Sequence, residues 1–201
     1  MINQHAIQLL EFYFQNSDLA FTLFQARFEN NVNTYLALKN RLHAVNVSED
    51  ELFQGQFANF YLVKRLPRPA KVAFFREFES LKNEDIPINV RELTEEMAPA
   101  LGKMHFSFCS KMMNMINDEE YPIYDSNVAT VFHRPGLGYG LDYKSNLYQD
   151  LCDTYHSLEN HPLVETFRVR FHANGMGYMK VLDTLFWFVG YCMNTNNLTE
   201  Q

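Results

Sequence analysis

Apolar positions recur every three or four residues along most of this chain, the spacing of one face of an α-helix. Phe24, Phe28, Val32, Tyr35, Leu38, Leu42 and Val45 keep that spacing and predict one long amphipathic helix. Ser48, followed three residues later by Glu51, has the form of a capping box, opening a helix that carries Leu52, Phe53, Phe57, Phe60 and Tyr61. Pro67 and Pro69 break the chain, and Val72, Phe75, Phe78 and Leu81 mark the next helix, ending before Ile86-Pro87-Ile88. Asn89 with Glu92 predicts a further start, and Pro99 closes or kinks that segment.

The second half reads in the same way. A helix from about Met104 to Ile116 precedes the turn Asp118-Glu119-Glu120 and the extended Tyr121-Pro122-Ile123-Tyr124-Asp125. Ser126 to Phe132 is a short helix, Arg134 to Leu141 a glycine-rich loop, and Tyr143, Leu147, Leu151 and Leu158 define another helix. His161-Pro162 starts a shorter one reaching about His172. Gly175 and Gly177 separate it from a final helix with Leu182, Leu185, Phe186 and Val189 turned inward. No stretch alternates with the period-two pattern of a strand, and no repeat of about 20–50 residues is visible. The expectation is an all-α, compact multi-helix fold. It forms one domain over residues 1–201, or two helical halves with the motif-bearing half at about 99–135.

Composition narrows the class. The chain has 201 residues, 47% hydrophobic and 15% aromatic, which excludes a disordered tether and supplies ample core for a domain of this size. The formal charge is −7, the sign opposite to that of a generic polyanion binder, so it argues against non-specific nucleic-acid binding. The most apolar stretch, Tyr178 to Met193, contains Lys180 and Asp183 and is shorter than the roughly 20 residues that span a bilayer. It reads as a buried helix, and no membrane association is expected. The first residues lack a basic region followed by an apolar run, so a cytoplasmic location is expected. Cys109, Cys152 and Cys192 are odd in number and widely spaced, as suits three plain buried thiols.

Few patterns carry chemistry. His156 and His161 lie five apart around Glu159, His172 stands alone, and none has the H-E-x-x-H spacing, so no metal and no cofactor are expected. Gly136-Leu137-Gly138-Tyr139-Gly140 lacks the spacing and context of a phosphate-binding loop. Its Tyr139 and the nearby Arg134 remain candidates to line a groove. Lys180 and Asp183, one turn apart on an apolar helix, read as an intrahelical ion pair or as charges on the helix's narrow polar edge; alternatively Asp183 holds a loop or another helix end by accepting backbone N–H groups. The richest stretch is Leu101 to Phe132. There Pro122 imposes an extended approach and Asp125 stands at the start of a short helix. Amides at that end hold a carboxylate ionised and oriented, which suits an N-cap and equally suits stabilising a developing cation or activating water.

Tyr121-Pro122-Ile123-Tyr124-Asp125-Ser126-Asn127-Val128 resembles the turn that bears the catalytic aspartate in the helix-hairpin-helix DNA glycosylase superfamily, written apolar-Pro-Val/Ile-x-Asp-x-x-Val. The closing segment, Lys180 to Gly190, is similar to the last helix of bacterial relatives that share this turn. Together these cover roughly a third of the chain. The resemblance implies Asp125 as catalytic residue, Tyr124 and Tyr139 as substrate-pocket residues, and Gly102, Lys103, Lys111 and Arg134 as nucleic-acid contacts. The family's hairpin, Leu-Pro-Gly-x-Gly, corresponds to Ala100-Leu101-Gly102-Lys103-Met104, with one of the two glycines. Lys111 lies a helical turn beyond the lysine of the strand-nicking members, so the implied activity is monofunctional.

Two functions follow from the sequence. In the first, Asp125 stabilises an oxocarbenium-like sugar while DNA presents a flipped damaged or modified base for excision. In the second, the chain is a non-catalytic all-α binding or regulatory module, with a protein partner or as a homodimer, and Asp125 is a helix N-cap.

Overall fold

A computed structural model describes residues 1–63, 66–84, 87–132 and 140–195. These residues form helices throughout, with no strand among them. In chain order they are α1 (Gln4–Tyr13), α2 (Ser17–Ala44), α3 (Glu51–Phe60), α4 (Arg68–Leu81), α5 (Val90–Leu101), α6 (Phe106–Ile116), α7 (Ser126–Phe132), α8 (Leu141–Ser157), α9 (Pro162–Phe171) and α10 (Tyr178–Thr195). The all-α class expected from the periodicity is the one observed. The chain divides into two units, one made of residues 1–29 and 117–201 and the other of residues 30–116.

In the first unit, α10 is the central element and packs against α7, α1, α9 and α8. It is buried on nearly every side, as a helix apolar all round must be. Gly190 allows its closest approach: a Cβ there would lie 2.0 Å from the carbonyl oxygen of Asn127 in α7. Phe21, Phe24 and Phe167 fill the space beside it, and Phe28 meets Trp187 and Tyr191 edge-on at 4.9 and 5.1 Å. In the second unit, α4 packs on α5 and α5 on α6. Phe53, Phe57, Phe74, Phe75 and Phe78 form its interior, each buried ring contributing roughly 1.5–3 kcal/mol.

Several helix ends differ from the sequence expectation. The predicted capping box does not form: Asp50, not Ser48, caps α3, its Oδ1 accepting the Phe53 N–H at 2.6 Å. Asp50 wins because its carboxylate also receives Arg41 through two hydrogen bonds, of 3.0 and 2.6 Å. Pro99 does not close its helix, which continues to Leu101 and ends at Gly102 with φ 78°, in the left-handed region glycine tolerates. The long helix starts earlier than the apolar pattern shows, and at Phe28 its backbone leaves the helical region (φ −134°, ψ 22°). α1 has no counterpart in the pattern, because only Ala6 and Leu10 of its ten residues are buried. Asn89 caps α5 as expected, accepting from Arg91 and Glu92, and His161 caps α9.

Candidate functional site

The Asp125 turn lies in the first unit. Tyr121 to Asp125 is extended, as Pro122 requires, with Ile123 buried beneath it. Asp125 then begins α7: its Oδ1 accepts the Asn127 N–H at 3.0 Å and its carbonyl accepts the Ala129 N–H at 2.8 Å. That is N-cap geometry, and the side chain is half-buried. Tyr124 beside it is half-buried too, and burial, with Tyr143 nearby, raises its hydroxyl above the ordinary tyrosine value.

The same unit holds several buried polar groups. Tyr148 donates to the Pro122 carbonyl at 3.0 Å, fixing the extended segment from α8. Tyr155 is fully buried, stacked on Phe186 and edge-on to Phe132. Burial first, then the charges of Asp183 and Asp125 among others, raises its hydroxyl well above the ordinary value. On α10, Lys180 and Asp183 form the intrahelical ion pair, Nζ to Oδ2 at 3.0 Å, with both side chains more than nine-tenths buried. Asn194 at the far end of α10 donates to the Asn127 side chain at 2.9 Å, a second tie between α10 and α7.

The residues that hold the start of α10 were not singled out from the sequence. Asp118 is buried, and its Oδ2 accepts the Gly177 N–H at 2.9 Å while its carbonyl accepts from Lys180 at 3.3 Å. Glu119 accepts the Tyr178 N–H at 2.9 Å. Two carboxylates thus satisfy the first amides of an 18-residue helix, where the helix dipole favours negative charge. The helix-end role that the sequence offered Asp183 as an alternative falls here to Asp118 and Glu119, each 59 residues from the amide it accepts. A Cβ at Gly177 would fall 2.1 Å from the Asp118 carbonyl oxygen, so glycine is required there. Tyr178 also meets His156 Nδ1 at 2.5 Å, and burial with Glu159, Glu120 and Glu119 nearby pushes its hydroxyl up to about 12.

The remaining residues implied by the resemblance are differently situated. Gly102 and Lys103 belong to the second unit and are exposed in the α5–α6 connection. Lys111, also in that unit, is 7% exposed, and its Nζ donates to the Tyr61 carbonyl at 3.2 Å. A lysine so enclosed supports the end of α3. Arg134 and Tyr139 lie outside the described residues. Cys109 and Cys192 are buried and Cys152 is half-buried; all three are free. Burial pushes their thiols up, to about 11 for Cys109 and Cys192 and about 12 for Cys152, so they are protonated at neutral pH and weakly nucleophilic.

No family model, curated protein or solved structure matches this chain. Among the described residues no group of three or more His, Cys, Asp or Glu is placed to hold a metal ion, and no helix is long and apolar enough to cross a membrane. A polar cleft of about 330 Å³ in the second unit, at the ends of α2 and α4, holds Glu79 and Lys82. The Lys82 ammonium there reaches the Val45 carbonyl at 2.6 Å, the Leu42 carbonyl at 3.3 Å and Glu79 at 2.9 Å. The cleft's negative ends are therefore met by the protein's own cation.

Proposed function

We propose that this protein is a non-catalytic all-α binding module in which Asp125 acts as the N-cap of α7. The supporting observation is the Asp125 hydrogen bond to the Asn127 amide, which commits one carboxylate oxygen to holding the helix. Lys111 adds weight, since the ammonium that the glycosylase reading assigns to DNA is spent on a backbone carbonyl. The buried Lys180–Asp183 ion pair and the Asp118 and Glu119 hydrogen bonds to the start of α10 tie this unit together, as groups that fix a fold do. The location consistent with this reading is the cytoplasm.

The glycosylase reading keeps one specific support, the match of Tyr121 to Val128 to the family's aspartate turn. The two readings part in a single assay. Duplexes carrying uracil, an oxidised purine or an alkylated base are incubated with the protein and scored for abasic sites. A binding module leaves every duplex intact, whereas a glycosylase converts at least one of them.

A further inference from the structure

The exposed face of α4 carries cations that form no ion pair among the described residues. Arg68, Val72 and Arg76 are all exposed and stand at four-residue intervals, so they form one ridge, with the two arginines about 12 Å apart along the axis. Lys71, one position before Val72, lies over the Phe75 ring at 5.8 Å and keeps its charge beside that ridge. Elsewhere arginines find carboxylates: Arg41 takes Asp50, Arg91 takes Glu95 and Arg170 takes Asp18. Arg68, Lys71 and Arg76 have no carboxylate within ion-pair distance among the described residues. The helix adds to the same field. Its first turn contains no acidic residue and its N-cap, Pro67, offers no side-chain acceptor, so neither offsets the positive end of the dipole.

We infer that this ridge is a docking surface for an acidic protein segment, an amphipathic helix with carboxylates spaced to meet Arg68 and Arg76 and an apolar residue over Val72. Charge complementarity selects an anionic partner, and Val72, 43% exposed between the cations, selects a protein. A phosphodiester backbone offers nothing apolar at that position, and the net charge of −7 repels a polymer carrying a phosphate every few ångströms. The ridge also has no exposed aromatic ring on which an unpaired base could stack. An anionic bilayer would need the apolar face of α4, and Phe74, Phe75 and Phe78 are committed to the core. This inference does not depend on the role of Asp125, because the ridge is the same whether or not that carboxylate is catalytic.

The test uses the full chain and a fluorescent synthetic helix with glutamates four residues on either side of a leucine, titrated by anisotropy at low salt. Saturable binding is expected, weakened at least about tenfold by the R68E/R76E double reversal, with unchanged circular dichroism and melting temperature. A lysine-bearing version of the same helix should then bind the reversed variant better than the original does. Absence of peptide binding, binding indifferent to the reversal, or stronger binding to a DNA duplex or to phosphatidylserine vesicles would overturn the proposal.

Discussion

Lys180 and Asp183 sit on the most apolar helix of the chain with almost no water to solvate them, so each depends on the other. Removing one partner of a buried pair leaves an uncompensated charge, a loss of about 3–5 kcal/mol, whereas replacing both by apolar residues of similar volume is often near neutral. Lys180→Met is therefore expected to lower stability by about that amount and Lys180→Met with Asp183→Leu to recover most of it, measured by urea denaturation of the four proteins of the cycle. Asp50 shows a half-buried counterpart. The Arg41 guanidinium, and then the Phe53 amide, hold its carboxyl below the ordinary 3.8. A carboxyl depressed in the folded state contributes stability above its ordinary value, and that contribution is lost as pH falls from there through the folded value. Thermal melts of the wild type and Asp50→Asn should thus differ at neutral pH and converge as the pH falls below the ordinary carboxylate range. An undiminished difference in acid would contradict the assignment. The ion pair on α10 was legible in the sequence because i,i+3 spacing is local. The Asp50 cap is not legible there, where Ser48 and Glu51 have the capping-box form, because the deciding partner, Arg41, comes from another helix.

At the scale of elements, the contact between α10 and α7 depends on a missing side chain. With the Asn127 carbonyl 2.0 Å from where a Gly190 Cβ would be, even alanine must force the helices apart. Gly190→Ala is expected to cost at least about 1–3 kcal/mol, the usual range for overpacking, and to lower the melting temperature by several degrees. Gly55, whose Cβ would meet nothing within 4 Å in the middle of α3, is the control. Gly55→Ala should be neutral or stabilising, since alanine is the better helix former by about 1 kcal/mol. Helices with a continuous apolar stripe, α4 and α10 among them, could be read from periodicity. α1 could not, because its short buried edge gives too little pattern. The Asp118–Glu119 clamp escaped notice for a different reason: an acidic turn is ordinary in sequence, and its meaning comes from the amides of α10, which only the tertiary fold brings to it.

For the whole molecule, the charge sum and its distribution give different information. A total of −7 describes the average field, yet Arg68, Lys71 and Arg76 of α4 form no ion pair among the described residues, and that local cluster is what a partner would meet. The aromatic surplus, by contrast, is explained by packing, with twelve of the largest side chains almost completely enclosed. The Asp125 turn was legible as a helix start because Pro122 and Asp125 act locally. Its surroundings, Tyr148 on the Pro122 carbonyl and Tyr155 within reach of its charge, come from α8 and could not be read in advance. What Asp125 does is decided most directly by comparing two substitutions in one experiment, with melting temperature and abasic-site formation read side by side. Asparagine caps a helix about as well as aspartate but cannot carry a negative charge, and alanine does neither. The binding-module account predicts that Asp125→Asn melts like the wild type, that Asp125→Ala loses about 0.5–2 kcal/mol, and that none of the three proteins releases a base. Base release by the wild type that disappears in a fully folded Asp125→Asn protein would contradict it.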